Sequence, residues 1–160
     1  MEINALSMWQ PWAALVAIRA KAWETRGWAI PANGQPLAIH AAKLSLEAML
    51  RKAPSAKPLL SCVALKHAMD TAWRANNPAV RNGLVYGALI CVVKPIETLT
   101  TVEALRLGRI SEVEFKFGDY REFDDKGNRR YCTRFEVVRV LDKPIYCAGR
   151  QKFFRVECPE

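Results

Sequence analysis

The chain has 160 residues, which is enough for one domain with its own hydrophobic core and too few for two domains of ordinary size. Its 24 Lys and Arg residues against 16 Asp and Glu give a formal net charge of +8. That charge favours an anionic partner, and nucleic acid is the commonest one for a small protein. The basic residues form no long run, which excludes a polybasic tail or membrane anchor. We therefore expect a single domain over residues 1–160.

The cysteines and the apolar residues exclude further classes of protein. Five widely spaced cysteines without a CxxC pair, and only two histidines, do not predict a metal site or a bound cofactor. The first residues lack a charged segment followed by an apolar run, and no apolar stretch is long enough to span a membrane. We expect a cytoplasmic protein with reduced thiols and no membrane partner.

The first third of the chain predicts three strands and one helix. Ile3–Met8 is typical of a short strand, and a helix is expected to begin at Gln10-Pro11, since proline is tolerated in the first turn. Ala22–Ile30 has the aromatic and threonine content of a strand. After the turn-forming sequence PANGQP, Leu37–Ala41 is predicted as a further strand.

The middle and the last third predict helices first and strands later. Helices are expected over Leu44–Lys52, Ser61–Arg74 and Val102–Leu107, with a buried apolar strand over Leu84–Val93. The remaining predicted strands are Val113–Phe117, Tyr131–Leu141 and Phe153–Cys158. Short strands with helices near the start and in the middle indicate an α+β fold with a small curved or closed sheet.

A tryptophan-rich segment holds the densest mixture of rings and charges. Four of the five tryptophans lie between Leu6 and Lys43, on both sides of Lys21. A buried indole needs a partner for its N–H, so a segment that only filled a core would use aliphatic residues instead. The mixture indicates a lined cleft in which Trp9 and Trp28 are the better candidates for stacking on a base. Trp12 and Trp23 are expected in the core.

Lys21, Glu24 and Arg26 are the candidate chemical groups of that cleft. In an extended segment Glu24 and Arg26 lie on the same face because side chains alternate, and Lys21 stands at the junction with the preceding helix. A partly desolvated lysine beside an arginine is suited to general acid or base chemistry. The alternative is an exposed ion pair worth roughly 0–1 kcal/mol.

Other candidate residues lie further along the chain. His40 and Lys43 end the predicted strand in IHAAK, where a histidine is more often a hydrogen-bonded structural residue than a catalyst. Arg129, Arg130 and Arg134 flank a turn and are able to follow a phosphate backbone, unless they serve only solubility. Tyr120 in the turn GDY is expected at a rim.

The motifs LSMWQPW, AKAWETR and PLAIHAAK together resemble the start of ASCH domains, which belong to the PUA-like superfamily. The later segments GALICVV, FGDY, FEVVRVLDKPI and the closing FFRV are similar to the same family. One departure is Ala20, which stands where the family usually has glycine. The residues that fall on the first motifs are Gln10, Pro11, Lys21, Glu24, Arg26, His40 and Lys43.

The resemblance implies a PUA-like small β-barrel, built from a curved mixed or antiparallel sheet with flanking helices, whose cleft acts on RNA or modified nucleosides. It implies Lys21, Glu24 and Arg26 as the catalytic or central binding residues. A bacterial branch that hydrolyses 4-acetylcytidine has threonine where this chain has Glu24. The glutamate in that position removes the hydroxyl nucleophile. The expected nucleic-acid contacts are Trp9, Gln10, Trp28, His40, Lys43, Tyr120 and Arg130.

Three functions are compatible with these residues. The first is a nucleic-acid-binding module, with RNA favoured over DNA, in which arginine contacts phosphate and tryptophan stacks on a base. The second is a metal-independent hydrolase, a ribonuclease or a nucleoside amidohydrolase, with Lys21 or Glu24 moving the proton. The third is a protein-interaction domain with an apolar patch on the central helices Leu44–Arg74. A shared fold does not confer chemistry, so the binding module ranks first.

Overall fold

The computed structural model describes residues 1–159. Within them, no helix is both long and apolar enough to cross a bilayer. A short 3-10 turn at Pro54–Ala56 precedes the third helix. The strands are β1 (Glu2–Met8), β2 (Trp23–Arg26), β3 (Leu37–Ala41), β4 (Ala88–Thr100), β5 (Tyr131–Tyr146) and β6 (Phe153–Glu157). The helices are α1 (Trp12–Ala17), α2 (Leu46–Lys52), α3 (Lys57–Leu60), α4 (Val63–Arg74), α5 (Thr101–Arg106) and α6 (Glu112–Lys116).

The six strands form one mixed sheet in the hydrogen-bonded order β2-β5-β4-β3-β1-β6. β1 and β3 are parallel, whereas β1 and β6, β3 and β4, and β2 and β5 are antiparallel. β2 and β6 end this order, so the sheet of residues 1–159 is open. The α+β class and the mixed sheet are confirmed, but closure into a barrel is not.

The chain divides into two compact units. The larger unit consists of Met1–Ala20, Pro36–Val93 and Val137–Glu160, and the smaller unit consists of Lys21–Gln35 and Lys94–Glu136. The long strands β4 and β5 each contribute residues to both units. That the whole chain is one domain stays a prediction.

The core of the larger unit surrounds β3, all five residues of which are buried. β3 lies between β1 and β4, and an irregularity in its pairing with β4 falls between Ile39 and His40. α1 is also buried along most of its length. Apolar residues of the strands and of the carboxyl-terminal segment complete this core: Ile3, Ala5, Ala38, Leu89, Val92, Leu141, Phe154 and Cys158.

The smaller unit has its own apolar cluster beside β2. Trp23 is 4% exposed, as the sequence predicts for a core tryptophan. It packs with Ala104 of α5, with Cys132 of β5 and with Tyr120. α5 begins with a capping box in which Thr100 and Glu103 satisfy each other's backbone N–H groups.

The strand predicted over Val113–Phe117 is wrong, because residues 113–116 lie in helix α6 and Phe117 follows its last residue. The Ser111 side chain accepts a hydrogen bond from the Glu114 N–H, which caps the first turn. Glu112 and Glu114 place negative charge in that turn, where the helix dipole favours it. Capping therefore outweighs an alternation of apolar and charged residues that is only five residues long.

Candidate nucleic-acid site

The side chains of Lys21, Glu24 and Arg26 form a continuous ion-pair chain in the smaller unit. The Lys21 Nζ donates hydrogen bonds to the Trp23 carbonyl and to the Glu24 Oε2, the latter at 3.2 Å. The Arg26 Nε donates to the other carboxylate oxygen, Oε1, at 3.1 Å. The Glu24 carboxylate thus has a cationic donor on each oxygen.

Burial of this ion-pair chain decreases from Glu24 and Lys21 toward Arg26. Lys21 is 2% exposed and Glu24 9% exposed, whereas the Arg26 side chain is 22% exposed. An exposed ion pair is therefore the wrong description of Lys21 and Glu24. Removing one partner of a buried pair costs about 3–5 kcal/mol, because the remaining charge lacks compensation. The ion-pair chain is thus buried at Lys21 and reaches solvent at the side chain of Arg26.

The free edge of β2 explains why Lys21 turns toward the ion-pair chain. The first residues of β5 pair with β2, so the other edge of β2 has no strand beside it. Lys21 supplies a donor to the Trp23 carbonyl, and the Glu114 Oε1 accepts from the Trp23 N–H at 3.3 Å. The Glu114 Oε2 also accepts from the Ala22 N–H at 2.8 Å. Side chains therefore satisfy the backbone that a further strand would otherwise pair.

Glu114 is a site residue that the sequence analysis missed. A strand over Val113–Phe117 gave no reason for its carboxylate to reach the backbone of Ala22. The available signal was Ser111 followed three residues later by Glu114, which is the spacing of a capped helix.

Tyr120 lies inside the smaller unit rather than at a rim. It is 6% exposed, and its ring stacks on Phe115 at a centroid distance of 5.6 Å. A Cβ at Gly118 would lie 2.7 Å from the Tyr120 ring, so glycine permits this approach. Burial, and then the charges of Glu114, Cys132 and Glu24, raise the pKa of the phenol. Within residues 1–159 its hydroxyl has no hydrogen-bond partner.

Arg130 is largely occupied by contacts within the smaller unit. Its Nε donates to the Asp119 carbonyl at 2.9 Å and its NH2 group to the Thr25 hydroxyl at 3.2 Å. Burial alone would raise the pKa of Asp119, but hydrogen bonds from Arg121 and the charge of Arg130 hold it below its ordinary value. The neighbouring arginines are likewise paired, Arg129 with Glu122 and Arg134 with Glu97.

Gln10, in the larger unit, holds helix α1 in place. Its side chain is fully buried, its Nε2 donates to the Val85 carbonyl at 2.7 Å, and its Oε1 accepts from the Ala14 N–H at 3.0 Å. Both ends of the amide therefore bond to the protein. In place of the predicted contact with nucleic acid, the structure gives Gln10 a role in fixing the start of α1.

His40 belongs to a second polar cluster of the larger unit. The Cys147 carbonyl lies 3.1 Å from Nε2 and can only accept, so Nε2 carries the proton. The Ser7 hydroxyl then donates to Nδ1 at 2.9 Å. Burial lowers the pKa of His40, although the Cys147 hydrogen bond opposes this. The arrangement agrees with the structural alternative for His40, and Ser7 is a partner that the sequence analysis missed.

Gly149 closes this cluster. A Cβ at Gly149 would lie 2.5 Å from the His40 Cε1 and 2.6 Å from the Ser7 Oγ, which no real side chain tolerates. Glycine is therefore required here for close packing of the backbone on His40.

The remaining predicted contacts, Trp9, Lys43 and Trp28, have exposed or half-buried side chains. Trp9 and Lys43 are exposed in the larger unit, and the stem of Lys43 packs on Gly87. Trp28 is half-buried in the smaller unit. The common cleft predicted for these residues stays a prediction.

The net charge is divided unequally between the units. The larger unit has 13 Lys and Arg against 6 Asp and Glu, a net charge of +7, and the smaller unit has 11 against 10, a net charge of +1. Almost all of the net positive charge that indicates an anionic partner therefore belongs to the larger unit.

The described part of the chain contains no group of three His, Cys, Asp or Glu side chains suited to hold a metal ion. All five cysteines are free thiols. Burial raises the pKa of Cys91 to about 12 and that of Cys132 to about 11. These two thiols are therefore poor nucleophiles.

No protein-family model and no curated protein matches the chain. Its structure is similar to a crystal structure of ASCH from Zymomonas mobilis, with 14% sequence identity and a TM-score of 0.48 over 89% of this chain and 72% of that one. Two point mutants of that protein match over 89% of this chain and 72% and 74% of theirs, each with 14% identity and a TM-score of 0.47. These three solved structures are of one ASCH protein.

Proposed function

We propose that the protein is a nucleic-acid-binding module of the ASCH type, with RNA favoured over DNA. The observation that carries this proposal is the ion-pair chain of Lys21, Glu24 and Arg26, buried at one end and solvent-accessible at the other. Charges are expensive to bury, and hydrophobic residues of similar volume often serve stability equally well. The presence of buried charges at Lys21 and Glu24 therefore favours a role in recognition.

The side chains of the ion-pair chain are suited to bind a ribonucleotide. A guanidinium is planar and matches the geometry of a phosphate, which suits Arg26 to contact one. A carboxylate offers about four acceptor positions, and Glu24 uses one on each oxygen within the protein. A ribose 2′-hydroxyl is a donor that DNA lacks, so a contact with Glu24 would favour RNA.

Two further features support nucleic acid as the ligand. The net charge of +7 on the larger unit attracts a polyanion over a longer range than any single contact. Trp9, which is 39% exposed, offers a ring on which a base can stack for roughly 1–3 kcal/mol. We assign this function to the cytoplasm, where the free cysteines stay reduced.

Fluorescence anisotropy with short single-stranded RNA tests the proposal in the variants Arg26→Gln and Arg51→Gln. Both substitutions remove one positive charge from an arginine that pairs with a glutamate, and Arg51 lies on the exposed surface of α2. A lost specific contact of roughly 1–3 kcal/mol lowers affinity by about 5–150-fold in Arg26→Gln, with little change in Arg51→Gln. Equal affinities of the two variants would overturn the proposal.

A metal-independent hydrolase acting on RNA or a modified nucleoside is the second candidate. The distance of 3.2 Å between the Lys21 Nζ and the Glu24 Oε2 favours it, because an acid and a base adjoin in a buried position. Cleavage by wild type, Lys21→Ala and Glu24→Ala, all purified identically, tests this function. Loss of cleavage in both folded variants supports a hydrolase, and unchanged cleavage in both assigns the activity to a contaminant.

A further inference from the structure

An apolar groove of about 420 Å³ lies on the larger unit, and its lining includes none of the residues assigned above to nucleic-acid binding. Ligand grooves in proteins have volumes of about 300–1,000 Å³. Asp70 is the one charged residue among those that line it. Its apolar walls include Leu46, Leu60, Leu65, Met69, Trp73 and Leu84.

Helix α4 supplies a stripe of side chains to this groove. Leu65, Met69 and Trp73 follow one another at intervals of four residues, which places them on one face of the helix. Trp73 is nevertheless 59% exposed. A large ring at a groove with so much exposed surface is typical of an anchor position in a protein interface.

The segment that supplies nearly all of the groove's lining residues is basic. Residues 44–86 contain six Lys and Arg and two Asp and Glu, a net charge of +4. Each acid is paired with an arginine of its own helix, Glu47 with Arg51 at 3.3 Å and Asp70 with Arg74 at 3.1 Å. Three exposed lysines have no ion pair within residues 1–159: Lys52, Lys57 and Lys66.

We propose that this groove binds an amphipathic helix of a partner protein, with an apolar stripe on one face and acidic residues on the other. Apolar side chains spaced along one helix face fill a groove of this kind, as in other helix-in-groove complexes. The lysines are complementary to acidic residues beside that stripe. Phosphate groups of RNA find no donors among the apolar walls, which favours a protein as the occupant.

Three labelled, stapled helical peptides test the proposal by fluorescence anisotropy. The first has leucines along one face and glutamates on the other, the second has lysines in place of the glutamates, and the third is a scrambled form of the first. The full chain is used as wild type, Met69→Glu and Val63→Glu. Val63 lies on the same helix, is 80% exposed and does not line the groove, so both variants add the same charge to α4.

The expected result is binding of the acidic peptide to wild type and Val63→Glu, weakened by roughly tenfold or more in Met69→Glu. The lysine and scrambled peptides are expected to bind at least about tenfold more weakly. No binding of the acidic peptide, equal binding of the three peptides, or equal affinity of the two variants overturns the proposal. Loss of RNA binding in Met69→Glu alone would assign the groove to RNA instead. Circular dichroism and thermal melting verify that each variant is folded.

Discussion

The two units of this protein hold their positive charges in opposite ways. In the larger unit many cations are exposed and lack an acidic partner within residues 1–159, as Lys43, Lys57 and Lys66 do. In the smaller unit seven of the eleven Lys and Arg residues are paired with an acid, and Lys21 is almost fully buried. Exposed charge attracts a polyanion without fixing its position, whereas a buried ion-pair chain holds donors and acceptors in a defined geometry. A net charge of +8 therefore combines two separate contributions.

The largest expected effect comes from Lys21→Ala. It leaves Glu24 with one cationic donor in a buried position, so the free energy of unfolding is expected to fall by about 3–5 kcal/mol. Lys43→Ala removes the same charge from the exposed surface of the larger unit, where about 0.5 kcal/mol or less is expected. Urea denaturation of both variants measures the difference. Similar losses would show that the buried ion-pair chain stabilises the fold no more than an exposed lysine does.

The Gly149→Ala variant tests the close packing of the larger unit. The added methyl group would collide with His40 and Ser7, so the protein is expected to lose about 1–3 kcal/mol of stability. Ala148→Ser, at the exposed preceding position, serves as the control in the same thermal melts. An unchanged melting temperature in Gly149→Ala would mean that the loop moves away from His40 easily.

Two matched helix caps sharpen the comparison between the units. Ser45 caps α2 in the larger unit and Ser111 caps α6 in the smaller one, each by accepting from the N–H three residues later. Replacing either serine with alanine is expected to cost about 1 kcal/mol. Only Ser111→Ala should also weaken RNA binding, because α6 carries Glu114 to the edge of β2. Equal RNA affinity of the two variants would remove α6 from the site.

The smallest effect concerns the dependence of stability on pH. Burial lowers the pKa of His40 in the folded protein, while the unfolded chain has the ordinary value near 6.5. Between these two values the unfolded state binds more protons, so stability falls as the pH drops below about 6.5. His40→Asn is expected to flatten this part of the profile, and His67→Gln, at an exposed position, to leave it unchanged. Identical profiles for both variants would exclude His40 as the cause.

Local patterns in the sequence predicted which side chains meet better than they predicted burial. The alternation of side chains in β2 was enough to place Glu24 and Arg26 together, and the boundaries predicted for β3 are confirmed. Lys21 donates to the Trp23 carbonyl at the free edge of β2, where Glu114, 92 residues after Ala22, accepts from the Ala22 N–H. No local pattern contains that information.

Gln10 and His40 show the same limitation. The amide of Gln10 is satisfied by the Val85 carbonyl, 75 residues away, and His40 bonds to the Cys147 carbonyl, 107 residues away. Their residue types allow either a ligand contact or a structural hydrogen bond, and only the tertiary fold distinguishes the two. The strand predicted over Val113–Phe117 was wrong for a different reason, because the capping serine of helix α6 outweighed a short alternating pattern.

The most direct test of the account compares RNA with DNA of the same sequence over a range of salt concentrations. Wild type, Arg26→Gln and Lys43→Gln are each titrated with both oligonucleotides. Wild type is expected to prefer RNA, Lys43→Gln to weaken RNA and DNA binding alike, and Arg26→Gln to reduce the preference for RNA at every salt concentration. Equal affinity of wild type for RNA and DNA, or the same RNA preference in all three proteins, would contradict the account.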